Sequence, residues 1–193
     1  MPPAARKKPK KISPDYLERA ALFYLERYSS AAENLRRVLD RKVRRSIREH
    51  GEPEPAQAAE WIAAVVAKLQ RNGLLNDRAY AESRVRSLYA EGKPLGRIRQ
   101  TLAAKGVSKP DVEAALERLQ DEAETPISDL PAAAAFARKR RLGPYRADPE
   151  QRRAMRQKDL GVLARRGFSQ GVATKILNAE SVAALEEMLN DPE

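Results

Sequence analysis

The sequence has no cysteine and a single histidine. The first absence excludes disulfides and thiolate metal sites. The second leaves His50 as the sole imidazole for any nucleophile–base pair. His50 follows an arginine-rich helix and precedes a proline-rich turn, so a solvated loop histidine is expected there. Aromatic residues make up only 5% of the chain, which argues against a β-rich core. No apolar run approaches the roughly 18 residues of a membrane span, and no apolar segment follows the basic start as a signal peptide requires. A soluble, cytoplasmic protein without membrane contact is therefore expected. Neither G-x-x-x-x-G-K-[ST] nor G-x-G-x-x-G occurs, so the two common phosphate-cradling loops are missing. Asp77 and Glu82 come nearest to a metal pair, but Asp77 reads better as a helix N-terminal residue facing the dipole. No catalytic residue, metal or cofactor is expected.

What is present is a repeat. LAAKGVSKPDVEAAL (Leu102–Leu116) and LARRGFSQGVATKIL (Leu163–Leu177) align without a gap. In both, a left-handed Gly closes one helix and a Ser caps the next, at Gly106/Gly167 and Ser108/Ser169. Ile62–Gln70 and Val112–Gln120 form a second ungapped pair. A supersecondary unit used several times predicts a tandem array in which neighbours bury each other's apolar faces.

The rest of the chain fits that frame. Residues 1–12 are Pro- and Lys-rich without periodicity, and predict a disordered basic arm. Ser13-Pro14 starts a helix with Tyr16, Leu17, Ala20, Ala21, Tyr24, Leu25 and Tyr28 on one apolar stripe. Ser30 and Glu33 read as a capping box for a second helix, with Leu35, Val38, Leu39, Val43 and Ile47 inward. A third helix carries Trp61, Ile62, Val65, Val66 and Leu69. The expected fold is all-α, an elongated array of three three-helix units: 13–74, 75–124 and 125–180, with a helical cap at 181–193. The tyrosines of the first stripe and Trp61 read as core. Tyr89 and Tyr145 read as the exposed aromatics open to base stacking.

Charge is segregated. The net charge of +10 divides into +8 over residues 1–50, −2 over 51–137, +8 over 138–166 and −4 over the remainder. Clustered cations are the footprint of a polyanion, because they displace counterions condensed on phosphates. The candidate binding residues are Arg36, Arg37, Arg41, Arg44, Arg45 and Arg48 on the long second helix. Arg84, Lys93, Arg97 and Arg99 flank the turn of the middle unit. Arg138, Lys139, Arg140 and Arg141 end one helix of the third unit, and Arg152, Arg153 and Arg156 lie on the next.

The middle unit resembles the RecX family of recombination regulators. The resemblance rests on Gly73-Leu74-Leu75-Asn76-Asp77, Tyr80-Ala81-Glu82, Gly92-Lys93, Arg97-Ile98, Leu102 and Lys105-Gly106-Val107. It extends over about residues 14–178 and is weakest in the third unit. Pro94 and Leu88 depart from the family pattern, as does the long connection from Arg44 to Pro55. The resemblance implies a monomeric, non-enzymatic regulator that binds the RecA recombinase filament on single- or double-stranded DNA, lies in its helical groove and most often restrains it. A general helical DNA- or RNA-binding protein is the competing reading, although no helix carries a base-reading set beside a tight turn.

Overall fold

Strong helix formers with an apolar residue every three or four positions leave little room for any other structure. A computed structural model describes residues 9–190, and among them are ten α-helices, one 3-10 turn and no strand. The first triplet is α1 (Pro14–Leu25), α2 (Ala32–His50) and α3 (Pro55–Arg71). The second is α4 (Asp77–Ala90), α5 (Leu95–Ala104) and α6 (Lys109–Glu122). The third is α7 (Leu130–Arg140), α8 (Pro149–Arg166) and α9 (Gln170–Asn178), and α10 (Val182–Asn190) follows it. The all-α tandem of three-helix groups matches the expectation from the repeat.

Contacts gather the chain into two compact units. One reaches through Ala81 and takes in Ala104–Asp111; the other holds Glu82–Ala103 and the chain from Val112 on. In the first unit, Leu17 and Ala21 of α1, Leu35, Leu39 and Val43 of α2, and Ile62, Val66 and Leu69 of α3 share one core. The second unit has a core of Ala133, Ala134 and Ala137 of α7, Leu163 of α8, Ile176 and Leu177 of α9, and Leu185 of α10. Each large aliphatic side chain buried in these cores contributes about 1.5–3 kcal/mol.

Three expectations need correction in the first unit. Residues 1–8 of the expected arm lie outside the described residues, but Pro9–Ile12 are held in place. Ile12 is buried in the core, and Lys11 pairs with Glu52. His50 is the last residue of α2, half-buried, and its Nε2–H donates to the Pro9 carbonyl at 2.8 Å. Finally, α1 ends at Leu25, so Tyr28 falls beyond the helix and is exposed.

The duplicated segment behaves as one device used twice. Gly106 and Gly167 have φ of +82° and +107°, closing α5 and α8. Ser108 Oγ accepts from the Asp111 amide at 3.2 Å, and Ser169 Oγ from the Val172 amide at 3.3 Å. Leu102 and Leu163 are buried alike, as are Val107 and Phe168, and Leu116 and Leu177. At Gly106 the demand is double. Its backbone is left-handed, and a Cβ there would stand 2.4 Å from the Glu33 side chain.

The capping box at Ser30–Glu33 does not form. Ala31 is the N-cap residue of α2 and offers no side-chain bond. Ser30 Oγ accepts from Asn34 Nδ2 at 2.8 Å, while Glu33 faces Arg36 and Arg37. The amide of Ala32 donates instead to Asp77 Oδ1, 2.7 Å away and 45 residues later in the sequence. The second unit repeats this: the Leu95 amide, first in α5, donates to Asp129 Oδ1 at 2.7 Å. In both cases the carboxylate opens the first helix of one triplet and caps the second helix of the triplet before it. Its charge meets the positive end of the dipole. In α8 the cap is local: its own Asp148 accepts from the Glu150 amide at 2.9 Å. Asp77→Ala is expected to lower stability by about 1–2 kcal/mol, and Asp77→Asn by less than half of that, because the amide oxygen still accepts. Urea midpoints of the two variants check this; equal losses would mean that charge, not the hydrogen bond, carries the effect.

Candidate partner and nucleic-acid interface

Helix α2 sorts its residues by period. Leu35, Leu39, Val43 and Ser46 recur at helical spacing and are buried, so the intervening arginines must face solvent. Arg36, Arg37, Arg41, Arg44, Arg45 and Arg48 are all exposed. The structure divides them into two groups. Arg36 and Arg37 pair with Glu33 at 3.6 and 3.1 Å, and Arg44 pairs with Asp40 at 2.7 Å. Arg37 also donates from Nη1 to the Ala104 carbonyl at 2.8 Å, satisfying the last turn of α5. Arg41, Arg45 and Arg48 have no hydrogen-bond or ion-pair partner among the described residues. Beside them, α2 and α3 enclose a groove of about 900 Å³. Val43, Ile47, Ala58 and Ile62 floor it, and Arg36, Arg44 and Arg48 lie at its rim.

Arg138, Lys139 and Arg140 form the last turn of α7, and all three are exposed there. Cations at that end complement the dipole. Arg141 follows in the left-handed region at φ +53°, where the Leu142 amide returns to the Ala137 carbonyl at 2.9 Å. Glycine would adopt that backbone without a steric cost of about 1 kcal/mol, so a guanidinium stands here at the expense of local stability. The Arg140 and Arg166 guanidiniums lie 6.0 and 5.5 Å from the Phe136 ring.

Other candidates have structural duties. Arg152 is half-buried on α8 and donates to the Glu180 carbonyl at 2.8 Å and the Pro144 carbonyl at 3.2 Å, tying three segments together. Arg156 donates to Asn178 Oδ1 at 2.8 Å, which leaves Arg153 exposed beside them. In the middle triplet, Arg99 grips Glu113 through Nε at 2.9 Å and Nη2 at 3.0 Å. That hydrogen bonding raises the Arg99 pKa above its ordinary value. Arg97 donates to Gln100 at 3.1 Å, while Arg84 and Lys93 are half-buried.

Neither aromatic expected to be exposed is open. The Tyr89 hydroxyl accepts from the Ser128 amide at 3.2 Å and donates to the Ser128 carbonyl at 3.3 Å. Tyr145 packs against the second core, and its desolvation pushes the phenol pKa up. The exposed rings are Phe23 and Tyr28, on and just beyond α1. Sequence reasoning also missed a buried ion pair. Asp159 takes an inward position on α8, four residues before Leu163, and receives Arg146 Nη2 at 2.7 Å and Nε at 2.9 Å. An acidic residue in the apolar register of a basic helix was the available signal.

Comparison with known proteins decides the family. The chain is 47% identical over 173 residues to the Regulatory protein RecX of Myxococcus xanthus, covering 90% of each chain. The chain belongs to the RecX family. The Regulatory protein RecX of Agrobacterium fabrum is 32% identical over 173 residues, covering 89% of this chain and 86% of its own. A family model for the second three-helix domain of RecX matches residues 76–116. A crystal structure of a regulatory protein RecX covers 86% of this chain and 72% of its own at 28% identity, with a TM-score of 0.59. The RecX structure from Lactobacillus salivarius covers 85% and 94% at 25% identity, again with a TM-score of 0.59. The RecX-domain match begins at Asn76, the cap of α4, and ends at Leu116 in the core of α6. It therefore takes in Asp77, Gly106 and Ser108, which are architectural, and leaves out both basic blocks of this chain.

Proposed function

We propose that this chain is a non-catalytic regulator that binds a RecA-type recombinase filament on DNA and restrains it during recombination and repair. It acts as a monomer in the cytoplasm. The observation that carries the reading is the exposed arginine face of α2 on a RecX-family fold. Arg41, Arg45 and Arg48 present charge that no carboxylate among the described residues pairs with, and phosphates can accept it. The α7 end, from Arg138 to Arg141, adds a second cationic site. The groove between α2 and α3 suits a protein contact: apolar side chains line it, and Arg48 stands beside the Arg36–Glu33 and Arg44–Asp40 pairs as a cation still open to an acidic neighbour.

The test is ATP hydrolysis by the cognate recombinase on single-stranded DNA as this protein is titrated in. Hydrolysis is expected to fall, with the protein co-sedimenting on the filaments. Unchanged hydrolysis at every ratio, without co-sedimentation, would refute the reading. Tight, salt-steep DNA binding with no effect on filaments would instead favour a general nucleic-acid-binding protein.

A further inference from the structure

Helix α1 turns one side to the first core and a different chemistry outward. Tyr16, Ala20 and Tyr24, at four-residue steps, pack half-buried against that core, and Arg19, Phe23 and Arg27, at the same steps along α1 and the turn after it, stand exposed beside them. From Tyr16 to the helix end at Leu25 this side of α1 runs about 14 Å, nine steps of about 1.5 Å. It lines a groove of about 630 Å³, bounded by Lys10, Lys11 and Ser13 on one side and by Val38 and Lys42 of α2 on the other. Lys10, Lys11 and Lys42 join Arg19 and Arg27 in the lining, and among the described residues no carboxylate lines it. Lys11 is engaged by Glu52 outside the groove. The other four cations supply the surplus.

The rings are unusual for a chain so poor in aromatics. Phe23 is 54% exposed and Tyr28 57% exposed, although burial of either would stabilise the fold. The Arg27 guanidinium stands 4.0 Å from the centre of the Phe23 ring. Tyr24 and Tyr28 form a tilted pair with ring centres 5.1 Å apart. Asn34 Nδ2 donates to the Tyr24 hydroxyl at 3.2 Å and holds one ring of that pair. The groove thus offers two exposed rings among unpaired positive charges, with one face of Phe23 held by Arg27 and the other open.

We infer that this groove is a stacking site for single-stranded nucleic acid, with bases against Phe23 and Tyr28 and phosphates on Arg19, Arg27, Lys10 and Lys42. Every base has a π-face, so aromatic stacking beside a cationic track binds single strands without reading sequence. A duplex keeps its bases stacked on one another and offers the rings nothing, so the groove distinguishes strand state. The inference rests on the proposed contact with DNA and adds its form and its place. It also separates two surfaces of the first unit: charge without rings on α2, and rings with charge on α1.

Fluorescence anisotropy tests it, using labelled oligo-dT of about 20 nucleotides, a duplex, and an abasic oligomer of the same length. The double variant Phe23→Ala/Tyr28→Ala is expected to bind oligo-dT at least about tenfold more weakly than wild type. Phe23→Tyr/Tyr28→Phe should stay within about threefold, because it keeps both π-faces. Duplex and abasic oligomer should bind all three proteins alike. Unchanged oligo-dT binding by the alanine variant overturns the inference while leaving the proposed function standing. Loss of filament binding with oligo-dT binding intact also overturns it, by assigning the rings to a protein. Failure of the wild type to bind DNA or filaments removes both readings.

Discussion

Asp159→Ala is expected to be the most destabilising single change outside the apolar cores, by about 3–5 kcal/mol. The carboxylate is 1% exposed, and it accepts from Arg146 Nε and Nη2 and from the Gly143 amide at 3.1 Å. Those bonds raise the Arg146 pKa, so the guanidinium stays charged throughout the working range. Removing the carboxylate leaves that charge, only 16% exposed in its side chain, without a counter-ion. It also orphans the Gly143 amide in the 3-10 turn between α7 and α8. Either loss alone costs about 1–3 kcal/mol. Asp159→Asn keeps an acceptor but turns an amide donor toward a donor, so it should recover only part of the stability. An apolar pair, Arg146→Met with Asp159→Leu, should recover more, because no charge is then left unpaired. Urea denaturation checks the order. Circular dichroism should register the loss more strongly than fluorescence, since Trp61 is the chain's one tryptophan and lies in α3 of the other compact unit.

The second large effect concerns binding. Arg41, Arg45 and Arg48, replaced together by Gln, should weaken DNA affinity on the order of a hundredfold at ~0.15 M salt, if each contacts one phosphate. The slope of log affinity against log salt should become shallower by about 2.7, since each released contact contributes about 0.9. The fold should be untouched, because the three side chains are exposed and Gln matches Arg in helix propensity. The same exchange at Arg36, Arg37 and Arg44 should cost less, as these are already shared with Glu33 and Asp40. A salt titration of both triple variants decides the matter. Equal slopes for wild type and the first variant would remove α2 from the interface.

The difference between these two arginine groups was legible only in part: Glu33 and Asp40 stand three or four residues before their arginines, but the bond from Arg37 to the Ala104 carbonyl spans 67 residues. A helical wheel places all six on one broad side, and the structure agrees that all are exposed. Which of them are occupied depends on where Glu33 and Asp40 point and on the Ala104 carbonyl that reaches Arg37. The same holds for Arg99 and Arg152, equal to their neighbours in sequence but committed to Glu113 and to two backbone carbonyls. The rings are the converse case. Tyr89 and Tyr145 fall beside or between stripes and read as open, yet Ser128 and the second core claim them. Tyr28 falls on the stripe and reads as buried, yet α1 stops three residues before it.

Local chemistry alone determined the helices, their breaks and the repeat. Those rest on a 3.6-residue period, on Ser and Pro at starts, and on left-handed Gly at ends, all acting within a few residues. Tertiary structure decided the partners. The Ala32 amide could have been served by Ser30 close by, but Asp77 brings a full negative charge to the positive end of α2, and the Leu95 amide finds Asp129 in the same way. A cap drawn from the next triplet links neighbours in the repeat, and its signature is the recurrence of Leu75-Asn76-Asp77 as Ile127-Ser128-Asp129. Such a pairing has no local period, because it spans two helices and the two loops that follow them, and only the folded chain brings the carboxylate to the amide.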